Sequence, residues 1–212
     1  MPFAPPDGSI CLASRTIAEG RSAVVLDPWS GAEVGRAILA DDAIGEEAIA
    51  GALRGFETLR ECASYERKAL LARIAGEIES RREAFAELIA REAGKPIAMA
   101  RAEVARAVAT FQLGAEEATR IEGASMALDG TPASRGYSGT WTRVPAGPVL
   151  AIAPFNFPLN LVAHKVSPAL ACGCSVVLKP APQAPLTALL LAECIRVSGA
   201  PEGAVSVLPR CL

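Results

Sequence analysis

Apolar residues recur every three or four positions over much of the first 120 residues, which is the spacing of amphipathic helices. The pattern predicts three helices, over residues 42–62, 64–93 and 96–121. Asp41 or Asp42 would cap the first helix and Ser64 the second, while Gly94 supplies a stop after the second. The apolar faces are predicted to consist of Ile44, Ala48, Ile49, Leu53, Phe56 and Leu59 in the first helix, Leu70, Leu71, Ile74, Ile78, Phe85, Leu88 and Ile89 in the second, and Ile97, Val104, Val108, Phe111 and Ala115 in the third.

Short strands flank this helical section. Turn-forming residues separate three strands before it, predicted over residues 10–17, 23–26 and 33–39, with a Pro-Gly turn at residues 27–31. After it, residues 137–144 alternate bulky and small polar side chains, which is typical of an exposed strand.

From Val149 onward, apolar strands alternate with helices. Strands are predicted over residues 149–153, 175–178 and 204–208, and helices over residues 158–171 and 185–198. Pro158 and Pro185 would each take a first helical position, and Pro168 would kink the first of these helices. Apolar strands joined by helices indicate parallel strands buried on both faces. The fold class is therefore α/β, with the first βαβαβ portion of a Rossmann-like sheet. Ending after its third strand, such a sheet leaves an unpaired edge and an uncovered apolar face.

Composition narrows the possible partners. The chain has 212 residues, 51% of them hydrophobic, and a formal net charge of −2. Nucleic acid is not an expected partner, because clustered basic residues are missing. The longest apolar runs, at residues 149–154 and 188–192, are too short to span a membrane, and the N-terminus does not resemble a signal peptide. We therefore expect a soluble, cytoplasmic protein.

The six cysteines do not form a recognisable framework. Their spacing favours free thiols over disulfides, with Cys172 and Cys174 as buried small residues. Two cysteines separated by a single glycine have the wrong spacing for a zinc site, and the only histidine is His164, so no metal site is expected.

The strongest candidate chemistry follows the first two strands of the predicted sheet, since ligands of parallel sheets bind beyond the carboxyl ends of strands. Asn156 follows the first strand, and Lys179 follows the second. Taken singly, the asparagine is more simply a turn residue and the lysine a solvated charge. Together, one strand–helix–strand unit apart, they favour a ligand site.

These segments resemble the aldehyde dehydrogenase superfamily. The resemblance rests on Gly147-Pro-Val-Leu-Ala-Ile-Ala-Pro-Phe-Asn-Phe-Pro-Leu-Asn160, Pro168-Ala-Leu-Ala-Cys-Gly-Cys-Ser-Val-Val-Leu-Lys-Pro180, Gln183-Ala-Pro-Leu-Thr-Ala188 and Gly199-Ala-Pro-Glu-Gly203. Weaker matches at Asp27-Pro28 and Gly94-Lys-Pro96 extend it over nearly the whole chain.

The resemblance implies a cofactor site for NAD or NADP. Asn156 matches the asparagine whose amide stabilises the oxygen of a thiohemiacetal, and Ala153, Pro154, Phe155 and Asn156 match the stretch along the cofactor. Lys179 matches the lysine that reaches the adenine-side ribose. Many NAD-preferring members carry a glutamate where this chain has Pro182, so the choice of cofactor stays open.

Two further positions match the family's substrate tunnel, Phe157 and His164. For His164 the alternative is an ordinary helix-face residue, because no carboxylate or thiol motif accompanies it. Glu103 and Arg106 have the spacing of a surface ion pair on a helix.

The resemblance also implies a domain arrangement. Residues 1–135 would pack around the cofactor domain, residues 136–147 would form an oligomerisation strand, and residues 148–212 would begin the dinucleotide-binding domain. The complete enzyme would be a homodimer or homotetramer that oxidises an aldehyde to a carboxylic acid. The nucleophilic cysteine and the glutamate base would lie beyond Leu212, so we expect this chain alone to be inactive. The alternatives are a non-catalytic nucleotide-binding or oligomerising fragment and, less favoured by the motifs, an acylating relative.

Overall fold

The computed structural model describes residues 7–12 and 15–210. Its helices are α1 (Asp42–Glu61), α2 (Ser64–Ser80), α3 (Arg82–Ala93), α4 (Ile97–Glu117), α5 (Asn160–Ala171) and α6 (Leu186–Val197). Its strands are β1 (Ile10–Cys11), β2 (Thr16–Ile17), β3 (Ser22–Leu26), β4 (Glu33–Ile38), β5 (Ala124–Ala127), β6 (Ser138–Trp141), β7 (Val149–Ile152), β8 (Val176–Lys179) and β9 (Val205–Val207). None of the helices in the described ranges is both long enough and apolar enough to cross a membrane.

The main sheet has the order β2-β1-β9-β8-β7. Strands β7, β8 and β9 are parallel, as predicted, and α5 and α6 connect them. The segment predicted as one strand over residues 10–17 is instead the hairpin of β1 and β2, in which Ile10 faces Ile17. Because Cys11 of β1 pairs antiparallel with Val207 of β9, the edge expected to be open after the third strand is covered. The edge strands of this sheet in the described chain are β2 and β7.

The two faces of the sheet have different coverings. In β8, Val176 and Leu178 belong to the large core formed with α2 to α6, whereas Val177 packs with Ala48 and Ala52 of α1. Alternate side chains of a strand point to opposite faces, so α1 lies across the sheet from α5 and α6. Strands β8 and β9 are buried on both faces, as predicted, but Leu150 and Ile152 of β7 are 69% and 59% exposed.

Small residues carry the contact of α1 with the sheet. A Cβ atom on Gly55 would lie 2.3 Å from the carbonyl carbon of Gly203, a residue with a φ of +80° just before β9. The helix therefore turns its glycine and alanine face inward, and the prediction that Ile49 and Leu53 are buried is wrong, since they are 51% and 55% exposed. Ala48 and Leu59 are buried as predicted.

The helix predicted over residues 64–93 is two helices. They meet at Arg81, whose backbone (φ −108°, ψ 20°) leaves the helical region and whose guanidinium donates to Glu193 of α6 at 2.9 Å. The first of them is capped through the backbone N–H of Ala63, which donates to Glu66 at 2.7 Å, and Ser64 lies inside the helix. All the inward positions predicted for this segment are buried: Leu70, Leu71, Ile74, Ile78, Phe85, Leu88 and Ile89.

Several boundaries of the predicted elements are also corrected. Helix α4 ends at Glu117, and an unpredicted strand, β5, follows and pairs antiparallel with β6. Helix α5 begins two residues after Pro158, which lies in the preceding turn, and Pro185 is the N-cap residue of α6. Pro168 lies inside α5, as predicted.

Candidate functional site

Strands β7 and β8 end side by side. Ile152 and Lys179 are register partners, and the N–H of Ala153 donates to the carbonyl oxygen of Lys179 at 3.1 Å. The loops that follow, residues 153–159 and 180–185, therefore leave the sheet at the same edge. This is the edge where parallel sheets bind ligands.

The first loop presents the predicted oxyanion donor to solvent. Ala153 is buried and anchors the loop, whereas Pro154, Phe155 and Asn156 are exposed. Phe157 is half-buried and turns the chain toward α5. The carboxamide of Asn156 is thus accessible to a bound molecule.

The second loop carries Lys179 at the end of β8. Its side chain is partly exposed and lines a cavity of about 350 Å³ on the α1 side of the sheet, with Asp41, Leu150 and Arg210 among the other lining residues. Pro182 is exposed three residues later and is not among them. A cation beside an apolar strand face suits an anionic or hydroxyl-rich ligand with an apolar ring.

The two predicted tunnel positions are separate from that cavity. His164 is exposed on α5 and lines a cavity of about 290 Å³ with Thr110, Gly114 and Ser167. Phe157 has its ring centroid 3.9 Å from Nζ of Lys95 and 5.5 Å from the guanidinium carbon of Arg106.

Sequence reasoning missed the role of Glu103. Its side chain is fully buried and forms an ion pair with Lys95 at 2.5 Å, so the predicted surface pair with Arg106 is wrong. The other oxygen accepts hydrogen bonds from the backbone N–H groups of Leu159 (2.9 Å) and Asn160 (3.1 Å). The signal in the sequence was its place on the apolar face of α4, where it lies three residues after Ala100.

Glu92 plays the same part at α6. Its carboxylate accepts from the N–H groups of Leu186 and Thr187 at 2.9 and 2.8 Å, and it also contacts the hydroxyl of Thr187. Burial raises the pKa of Glu92 from 4.5 to about 7, although these hydrogen bonds oppose the shift. The N-termini of α5 and α6 are thus each capped by a carboxylate from another helix.

The cysteines of the described chain are free. Cys174 is buried, as predicted, but Cys172 is exposed at the end of α5. Burial raises the pKa of Cys194 to about 12, which disfavours the reactive thiolate. Cys211 lies outside the described residues. Across residues 7–12 and 15–210, no group of three His, Cys, Asp or Glu residues could hold a metal ion.

A parallel βαβαβ unit with two loops at the carboxyl ends of neighbouring strands defines an α/β protein with an open parallel sheet. Residues 16–210 match the Aldehyde dehydrogenase family, so this chain belongs to that family. It is similar to the 3-sulfolactaldehyde dehydrogenase of Priestia megaterium (strain ATCC 12872 / QMB1551), with 49% identity over 144 residues that cover 68% of this chain and 30% of the relative. It is also similar to aspartate-semialdehyde dehydrogenase 1 of Pseudomonas canavaninivorans, with 41% identity over 186 residues that cover 86% of this chain and 39% of the relative.

Solved structures agree with the fold. Aldehyde dehydrogenase 21 of Physcomitrella patens, in complex with the reaction product succinate, superposes with a TM-score of 0.94 and 38% identity over 99% of this chain and 44% of that one. The NADP-dependent glyceraldehyde-3-phosphate dehydrogenase of Bacillus halodurans C-125, complexed with NADP, gives a TM-score of 0.92 and 32% identity over 96% of this chain and 44% of that one. The chain spans less than half the length of each of these relatives.

Proposed function

We propose that this chain is the cofactor-binding part of an NAD(P)-dependent aldehyde dehydrogenase, which oxidises an aldehyde to a carboxylic acid through a cysteine thiohemiacetal. The observation that carries the proposal is the pairing of β7 with β8, which brings the Asn156 loop and Lys179 to one sheet edge. The bound nicotinamide would accept the hydride. The thiol and the general base would come from polypeptide outside this chain.

In this proposal Asn156 is the catalytic side chain that the described residues supply. Its exposed carboxamide would donate to the oxyanion that forms when a thiolate attacks the aldehyde carbon. A donor fixed before the reaction stabilises that charge without reorganising, and one such donor contributes roughly 10²–10³ in rate.

The cofactor would lie along residues 153–156, with its adenine-side ribose near Lys179. Pro182 carries no charge, so nothing at that position repels a 2′-phosphate. We therefore propose NAD⁺ and NADP⁺ as alternative cofactors. The binding of NADP by the Bacillus halodurans relative supports the second of them.

The β5–β6 hairpin is proposed to be the oligomerisation arm of a homodimer or homotetramer. Tyr137 and Trp141 are 64% and 43% exposed, and a second copy of the chain would cover them and the outer edge of β6. Sedimentation of a Trp141→Lys variant tests this assignment.

A cytoplasmic location is consistent with free thiols at all five cysteines of the described chain.

The experiment for the proposed function uses a chimera in which residues 16–210 replace the corresponding segment of the Pseudomonas canavaninivorans enzyme, which matches over 186 residues and supplies the remaining polypeptide. We expect the chimera to reduce NAD⁺ or NADP⁺ with an aldehyde, and Asn156→Ala to lower kcat by roughly 10²–10³, with a smaller effect on nucleotide affinity. The exposed Gln112→Ala on α4 removes an amide elsewhere and serves as the control.

A folded chimera that binds nucleotide but shows no turnover would favour the alternative, a nucleotide-binding or oligomerising unit without catalysis. Equal kcat values for Asn156→Ala and Gln112→Ala would remove Asn156 from the mechanism.

A further inference from the structure

The loop that carries Asn156 has few means of holding itself in place. Pro154 and Pro158 lack an N–H group, and the side chains of residues 154–156 are exposed. Helix α5, which follows, has no capping side chain of its own. The position of the Asn156 carboxamide must therefore be fixed by contacts from outside the loop.

Lys95 supplies one of these contacts. It lies between α3 and α4 in the sequence, and its side chain is only 10% exposed. Its ammonium group donates to the carbonyl oxygen of Asn156 at 2.8 Å and lies over the ring of Phe157, 3.9 Å from the centroid. The lysine thus holds the backbone of Asn156 and the side chain that follows it.

Glu103 supplies the other contact. One carboxylate oxygen binds Lys95, and the other accepts the N–H groups of Leu159 and Asn160 at the start of α5. The backbone from residue 156 to residue 160 is therefore attached at both ends to a single buried ion pair. Burying such a pair carries a large desolvation penalty, so its presence is poorly explained by stability alone.

We propose that Lys95 and Glu103 are positioning residues for Asn156: the buried pair fixes the loop so that the carboxamide points into the site before substrate arrives. The inference rests on the proposed role of Asn156. Neither residue needs to touch the aldehyde, because both act through the backbone of the loop. Preorganisation of this kind is what makes an oxyanion donor effective.

Nuclear magnetic resonance on the ¹⁵N-labelled 212-residue chain tests the proposal directly. The side-chain amide signals of Asn156 are assigned with an Asn156→Asp variant. We expect Lys95→Met to broaden or split those signals and to shift the backbone amide of Phe157. The matched control is Arg101→Met, which breaks the exposed Arg101–Glu83 ion pair between α4 and α3.

A second variant keeps the test decisive if Lys95→Met does not fold. Lys95→Arg retains a cation for Glu103, but its larger planar guanidinium places the N–H donors differently from the compact ammonium and alters the contact with the carbonyl oxygen of Asn156. We expect this variant to fold and to show a disturbed Asn156 signal. Sharp, unshifted Asn156 signals in every folded Lys95 variant would overturn the proposal and leave the pair a purely structural role.

Turnover by the chimera separates this inference from the proposed function. We expect Lys95→Met to lower kcat by roughly 10- to 100-fold with little change in the KM for nucleotide. If the Asn156 signals move but Asn156→Ala leaves kcat unchanged, the positioning holds and the proposed catalytic role fails. If Asn156→Ala lowers kcat but Lys95→Met moves neither signal nor kcat, the positioning fails and the catalytic role stands.

Discussion

Glu92 and Glu103 each satisfy the backbone N–H groups of a helix that begins more than fifty residues later in the chain. The spacing of apolar residues in α4 placed Glu103 among buried positions. Because a charged residue on a helix is usually solvated, it was nevertheless predicted to form a surface ion pair with Arg106, which is wrong. Nothing local to α4 indicates that the start of α5 needs an acceptor. A long-range cap of this kind has no sequence pattern.

The pH dependence of stability reports on Glu92. Burial raises its pKa in the folded chain to about 7 from an ordinary value of 4.5, so the folded state binds this proton more tightly than the unfolded state. Its contribution to stability is therefore complete below the lower value and is lost as the pH rises through the higher one. We expect the free energy of unfolding of the chain, relative to Glu92→Gln, to fall by on the order of 2 kcal/mol between pH 5 and pH 8.

Urea denaturation at several pH values measures this difference. Glu87→Gln, at an exposed position of the same helix, controls for the general effect of removing a carboxylate. Parallel curves for the wild type and Glu92→Gln would mean that burial does not perturb this carboxyl.

At the scale of elements, the helices were predictable where large apolar side chains form their inner faces. Phe85, Phe111 and Leu71 are fully buried, as their spacing predicts. Helix α1 differs because it approaches the sheet through glycines, which carry no hydropathy signal. Ile49 and Leu53 were predicted to be buried because they are bulky and apolar. The surface of α1 that contacts the sheet is instead formed by glycine backbone, at Gly55.

Alanine substitutions at two glycines of α1 measure the effect of close packing on stability separately from the effect of helix propensity. A methyl group on Gly55 would meet the backbone of Gly203, whereas one on Gly45 would meet nothing within 4 Å. We expect Gly55→Ala to lower the free energy of unfolding by about 1–3 kcal/mol, and Gly45→Ala to raise it by about 0.5–1 kcal/mol. Chemical denaturation of both variants gives the comparison, and a neutral or stabilising Gly55→Ala would contradict the close approach.

At the scale of the whole molecule, the parallel order of β7, β8 and β9 followed from the alternation of apolar strands and helices. The proximity of the Asn156 loop to Lys179 followed as well, because the carboxyl ends of neighbouring parallel strands lie at one edge. The pairing of β1 with β9 could not be predicted, since two-residue strands carry almost no periodicity and their partner lies at the other end of the chain. Missing β5 had a similar cause, because all four of its residues are exposed.

The proposed assembly is tested with two exposed tryptophans. Trp141 lies at the end of the β5–β6 hairpin, while Trp29, 94% exposed, lies in the turn between β3 and β4. In sedimentation velocity experiments on the chimera, we expect Trp141→Lys to weaken self-association at least about tenfold, because it places a charge in an apolar contact. Trp29→Lys is expected to behave as the parent, and equal association of the two variants would exclude the hairpin as the contact.

The pairing of Cys11 with Val207 affects the order in which the elements of the chain fold during synthesis. Helices α2 to α4 contact one another over short sequence distances and can form soon after they leave the ribosome. The N-terminal hairpin must wait for β9, almost the full length of the chain later, before it can join the sheet. Because long-range strand pairing is slow, we expect the five-stranded sheet to close last, on a helical scaffold that has already formed.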